Sequence, residues 1–298
     1  MTTNTTWSTY LQRINTLYLS RQLRFDDRFK QHYTPYLGLC NAKTILELGC
    51  GPGAMAMALA RWYPSAHITA TDRDSAFISF ARKEAASTGY GDIVFEEADI
   101  TALHYTDDSF DATISHTVQE HVEHGAFFGQ QYRVLKPGGV CVVFSAGRRS
   151  INHIADTVSA FSDFEKEIHT KTGKYYKEAD EKHAVGKYAV TEVELPGLME
   201  AHGFKNIETH YTAVNLTPDS EQYEKNFALR MIEANRQMEL DGVKYINAIA
   251  PNVCSDDEIN LWNKEINKRY DTRIKQYNLG LKQWDVSLSL TMIVKGTK

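Results

Sequence analysis

The stretch "ILELGCGPGA", residues 45–54, carries the reading of the fold. Its apolar start belongs to "TILEL" (44–48), which looks like a buried strand, and its glycines lead into a helical pattern over 53–62. Gly49 and Gly51 permit positive φ and let the backbone come close to a ligand. A second strand follows, "HITAT" (67–71), with Asp72 at its end. A glycine loop after one strand and a carboxylate after the next place a ribose-bearing ligand at the carboxyl edge of a parallel sheet.

Outward from that unit the alternation continues. It predicts a helix over 74–88, strands at 92–95 and 111–115, a helix over 118–135 and a strand at 139–145, with "TGYGD" and "KPGG" as turns before two of the strands. Residues 150–190 break the rhythm. "EKEIHTKTGKYYKEADEKHAVGK" is charged and poor in apolar residues, so it reads as a loop or a mobile helix. A helix over 191–202, a strand near 206–214 and a final strand in "WDVSLSLTMIVKG" resume the pattern. Between those last strands, residues 215–282 read as two amphipathic helices, with Phe227, Met231, Trp262, Ile266 and Tyr270 on helical spacing.

Composition narrows the classes. The 298 residues are 42% hydrophobic, enough for a real core, and 33 basic against 38 acidic side chains give a net charge of -5. That balance argues against nucleic acid or an anionic membrane as partner. No uninterrupted apolar segment suggests export or membrane spanning, and Cys40, Cys50, Cys141 and Cys254 stand far apart, so free thiols and a cytoplasmic location are expected.

The ligand is the open question. Gly49, Gly51 and Ala54 satisfy G-x-G-x-x-A, so an NAD-dependent dehydrogenase is one alternative, and a non-catalytic nucleoside-binding protein is another. Glu47, however, precedes the glycines at the strand tip, where its carboxylate would oppose a pyrophosphate and welcome a cation. S-adenosylmethionine has an amine, a sulfonium, a ribose and no phosphate. Taken in order, "ILELGCGPG", "ATDRD", "EEADI", "DATISHTVQEHV" and "RVLKPGG" resemble the class I S-adenosylmethionine-dependent methyltransferases, closely over residues 40–147 and loosely over 190–214.

The resemblance implies an α/β, Rossmann-like sheet of seven strands, mostly parallel, with helices on both faces and the last strand antiparallel. It divides the chain into an N-terminal helical cap (1–39), a cofactor domain (40–214 and 283–298) and a helical insert before the last strand (215–282), acting as substrate lid or dimerisation unit. It assigns Asp72 to the ribose hydroxyls, Arg73 to the adenine face, Asp99 to the adenine amine and the Ile100 backbone to the ring. The backbone from Gly49 through Cys50 and Gly51 to Gly53 would pass the methionine portion, and His116 would abut it from the fourth strand. Pro137, Gly138 and Gly139 form the family's tight turn.

"ISHTVQEHVEHG" (114–125) invites a metal reading, but H-E-x-x-H and H-x-x-E-H are both out of register here. In the E-x-x-E-H pattern of family members that methylate small-RNA ends, Thr117 replaces the first glutamate, so no metal is expected. His116 and His121 remain candidates for a general base that takes a proton from an oxygen or nitrogen nucleophile. Tyr10, Tyr18, Arg21 and Phe25, with Arg148, are candidate lid contacts. The expected activity is methyl transfer from S-adenosylmethionine to a small-molecule acceptor, in a chain that is a monomer or a homodimer.

Overall fold

The computed structural model describes residues 6–11, 13–145, 149–155 and 157–298. The order of elements is α1 (Thr6–Tyr10), α2 (Ile14–Arg24), a 3-10 segment (Asp27–His32), α3 (Thr34–Leu37), β1 (Thr44–Leu48), α4 (Ala54–Trp62), β2 (His67–Asp72), α5 (Ser75–Ser87), β3 (Val94–Glu97) and β4 (Phe110–His116). There follow a 3-10 turn (Gln119–His121), α6 (His124–Val134), β5 (Leu135–Phe144), β6 (Arg149–His153), α7 (Asp163–Lys182), α8 (Glu194–Ala201), β7 (Lys205–Asn215), α9 (Lys225–Ile249), α10 (Asp256–Asn278) and β8 (Val286–Thr297).

Strands β3-β2-β1-β4-β5 are parallel, and β8 is antiparallel to β5 on one side and to β7 on the other. Ile45 to Leu48 of β1 are all buried, as a central strand covered on both faces requires. Helix α4 is apolar nearly all round, with Ala54 to Leu59 buried between the sheet and the N-terminal cap. The expected Rossmann-like sheet is therefore present. It has one addition: β6 takes up the edge of β8 where β5 ends, pairing Leu290 to Val286 after β5 has paired Thr297 to Ile293. The paired floor thus reaches beyond the cofactor edge.

Two local expectations are corrected. The predicted helix over 118–135 is broken, because Val122 is extended and Glu123 caps α6 by accepting from the Gly125 and Ala126 amides. Residues 163–182, expected as loop or mobile helix, form the five-turn helix α7. A capping box starts it: Ser162 Oγ accepts from Glu165 N at 3.2 Å, and Glu165 Oε2 accepts from Ser162 N at 2.8 Å. Its Ile168 joins Ile232, Val243 and Ile246 of α9 and Trp262 and Ile266 of α10 in one core. The insert helices accordingly bury their apolar faces against α7, against each other and, through Phe227 and Met231, against the cap and sheet domain.

Candidate active site

The chain turns twice at the end of β1. Gly49 has φ +66°, and a Cβ there would stand 2.4 Å from Val118 Cγ2, so only glycine fits. Gly53 has φ +84°, and its Cβ would meet Ala81 and Phe95 at 2.9 Å. Between them, Cys50 N donates to Thr71 O, which ties the loop to β2. Asp72 closes the unit, with Oδ2 accepting from Gly51 N and Oδ1 from Asp74 N, each at 2.9 Å.

These bonds hold a carboxylate that burial pushes up to about 6, against the pull of the Asp74 and Gly51 amides. Glu47 is buried beneath the same loop. Burial first, and the nearby Asp72 charge second, raise its carboxyl well above the usual range, and Oε2 has no hydrogen-bond partner among the described residues. Two buried carboxyls side by side, one with an oxygen that has no partner among the described residues, suit a cationic ligand and repel a pyrophosphate.

The cleft over this loop has a volume of about 790 Å³. Glu47, Gly49, Cys50, Gly51, Asp72, Arg73, Asp99, Ile100, His116 and His121 all line it, so the structure brings the sequence candidates together. Gly53 is the exception. It stands at the N-terminus of α4, packed on Ala81 and Phe95, and does not face the cleft. Asp99 also caps its own turn, where Oδ1 accepts from Thr101 N at 2.8 Å and Thr101 Oγ1 at 2.7 Å.

The two histidines separate. His116 ends β4 with its ring perpendicular to Phe25, centroids 5.2 Å apart, and it faces the cleft. Thr117 follows with φ +56° and donates its N–H to Phe144 O at 2.7 Å, while its Oγ1 accepts from Arg21 Nη2 at 3.2 Å. His121 sits in the 3-10 turn, where its Nδ1 accepts from Gly186 N at 3.0 Å. In the neutral ring that bond occupies the free lone pair and leaves the proton on Nε2, which lies 4.0 Å from Glu120 Oε1. His121 is thereby a poor proton acceptor and a good pin for the 183–188 segment, which corrects its candidacy as a base. His124 turns its Nε2 to Tyr188 O at 2.8 Å. Among the described residues no group of three or more His, Cys, Asp or Glu is arranged to hold a metal ion.

Of the proposed lid contacts, Arg21 and Phe25 line the cleft, while Tyr18 instead donates to Glu84 at 3.0 Å and Tyr10 stacks on His183. Arg148 lies outside the described residues. Trp7, Leu11 and Leu17, which the sequence places on one helical period at the N-terminus without a cleft role, also line the cleft. Trp7 lies edge-on to His121, and the adjoining Ser8 is latched to Asp74, donating from N at 2.8 Å and from Oγ at 3.1 Å. Only the helical period of the N-terminal segment hinted at this.

The fold and this cleft define a nucleoside-binding α/β protein of the methyltransferase type. A methyltransferase domain family profile matches residues 40–278, and the chain belongs to that family. Among curated relatives, it is similar to the demethylmenaquinone methyltransferase of Thermus thermophilus, 36% identical over 102 residues, covering 34% of this chain and 46% of the relative. It is also similar to the sterol 24-C-methyltransferase of Neurospora crassa, 32% identical over 120 residues, covering 39% of this chain and 31% of the relative. The match thus spans less than half the length of these relatives. In fold it is similar to a Haemonchus contortus phosphoethanolamine N-methyltransferase 2 structure containing S-adenosyl-L-methionine, with TM-score 0.51, 15% identity, and 99% of this chain and 59% of the other covered. The [4+2]-cyclase SpnF shares the fold too, with TM-score 0.50, 15% identity, and 91% and 80% covered. Fold alone therefore does not fix the reaction.

Proposed function

We propose that the protein transfers a methyl group from S-adenosylmethionine to a small-molecule acceptor in the cytoplasm. The observation that carries this is the Glu47–Asp72 pair under the glycine loop, a doubly acidic, buried site that favours a cationic nucleoside over a dinucleotide. Bound there, the cofactor supplies a methyl carbon already activated by a sulfonium. Asp72 would hold the ribose hydroxyls with both carboxylate oxygens, and Asp99, Ile100 and Arg73 would surround the adenine. The Gly49–Gly51 backbone would run along the amino-acid portion above Glu47.

What the rest of the chain contributes is alignment and exclusion of water. His116 reaches the cleft from β4 and would take a proton from the acceptor where one is needed. Met238 of α9 also lines the cleft, which supports a lid role for the insert. The apolar faces of the insert helices pack largely within this chain, with Leu261 of α10 left exposed. Free cysteines, and the absence among the described residues of a helix long and apolar enough to cross a membrane, accord with the cytoplasm. Calorimetry with S-adenosylmethionine and with NAD tests the proposal: binding of the first and not the second is expected, and the reverse order overturns it.

A further inference from the structure

A second cavity of about 340 Å³ adjoins the cofactor cleft, and the two share Ser20, Arg24, Ser150 and Met238 in their walls. Its roof is α9 and α10, its floor β6 and β8, and α2 forms the near wall. It has the size of a small-ligand chamber. Leu23, Ile154, Met231, Ile232 and Leu288 give it an apolar lining.

The two arginines that α10 sends into it are each held by carboxylates. Arg269 donates to Glu165 at 2.7 Å and also to Glu239, which in turn accepts from the Tyr270 hydroxyl. Arg273 donates to Asp219 at 2.6 Å and to Asp285 at 3.0 Å. Both arginine side chains are more than nine-tenths buried, and each is held by two carboxylates. Arg269 keeps only Nε and Arg273 only Nη1 without a partner among the described residues, so neither offers the free two-nitrogen fork by which a phosphate or carboxylate is bound. A buried anion in the chamber would meet the Glu239 and Asp285 carboxylates in its wall and, on α10, only arginines already held by two carboxylates each, at a large desolvation cost. What the chamber does offer is neutral: the Asn235 amide on α9 and the Ser289 hydroxyl on β8, neither engaged with another described residue.

We infer that this chamber takes the methyl acceptor, and that the acceptor is an uncharged molecule with an apolar body and a hydroxyl or carbonyl oxygen, received by Asn235 and Ser289. The inference rests on the methyltransferase reading, since it presents the acceptor to the cofactor cleft through the shared wall. Phosphorylated acceptors are disfavoured, because both α10 arginines are already engaged by carboxylates.

Two probes that differ only by phosphate, 1-naphthol and 1-naphthyl phosphate, test it by calorimetry on the full chain saturated with S-adenosylhomocysteine. The naphthol is expected to bind at least about tenfold tighter than its phosphate ester. Ser289→Phe, which fills the floor, and Asn235→Trp, which fills the roof, should each weaken the naphthol by about tenfold or more while leaving S-adenosylhomocysteine affinity intact. That retained affinity shows that the variant is folded, and either variant alone suffices. Tighter binding of the phosphate ester, no naphthol binding, or unchanged naphthol binding in the folded variants overturns the inference. Failure of the unaltered chain to bind S-adenosylhomocysteine would instead sink the methyltransferase reading, and naphthol binding to the free chain would still report on the chamber.

Discussion

Replacing Asp72 by Asn should separate stability from cofactor affinity. The Asp72 carboxyl lies near 6 against 3.8 in an unfolded chain, so its charged form is disfavoured in the folded protein. Stability from this group is therefore fully present below pH 3.8 and lost as pH rises toward 6. The loss is about 1.36 × 2.2, or about 3 kcal/mol at most. Asn removes that cost but cannot accept from both Gly51 N and Asp74 N, which returns about 1 kcal/mol. The free variant should thus melt no lower than the parent at pH 8.

Cofactor affinity should move the other way. Exchanging a charged acceptor for a neutral one costs about 1–1.5 kcal/mol per ribose hydroxyl, or about 2–3 kcal/mol for the pair, some 30- to 150-fold in Kd. Because binding requires the carboxylate, affinity of the parent should fall as pH drops through 6, by up to about tenfold per unit. Asp72→Asn should lose the part of that slope that Asp72 contributes. Calorimetry with S-adenosylmethionine from pH 5 to 8 measures both effects. A variant with affinity within about threefold of the parent at pH 8 and the same pH slope would refute the ribose assignment.

Chelators should leave S-adenosylmethionine binding unchanged, and stoichiometric metal retained through His121 after purification would contradict this. Gly53→Ala should destabilise the protein by about 2–4 kcal/mol, from positive φ and a Cβ 2.9 Å from Ala81 and Phe95, and an unaltered Tm would disprove the packing argument. A disulfide-exchange reagent should titrate exposed Cys40 in the native protein, whereas Cys50, Cys141 and Cys254 should react only after denaturation. Burial raises all three of those thiols, Cys141 to about 12, and rapid native reaction of a second thiol would show that the cleft opens.

The cofactor edge was legible because its chemistry is local. Positive-φ glycines, a carboxylate one strand away and the alternation of strands and helices all lie within some thirty residues, so residue type and spacing together anticipated that Glu47, Gly51 and Asp72 meet at one cleft. His121 shows the limit of that reasoning. Its position marked it as a base, yet the amide that fixes its tautomer comes from Gly186. The cap was harder still, since Trp7 reaches the cleft beside a Ser8 that docks on Asp74, a contact 66 residues away in the chain.

Helix α7 marks where composition misleads. Its charged sequence suggested solvent, although the Ser162–Glu165 capping box lay in plain view. Glu165 is buried because Arg269, on α10, comes to meet it at 2.7 Å, so charge at one position is answered more than a hundred residues away. A buried pair of this kind adds little net stability, but removing either partner leaves the other stranded and costs several kcal/mol. The insert and α7 are consequently one unit. Cutting out 217–281 alone would strip Ile168 and Glu165 of their partners, so loss of acceptor turnover in such a deletion would report unfolding of α7 as readily as loss of a roof. Substitutions inside the chamber, where the helices keep their core, are the cleaner measure of what the roof selects.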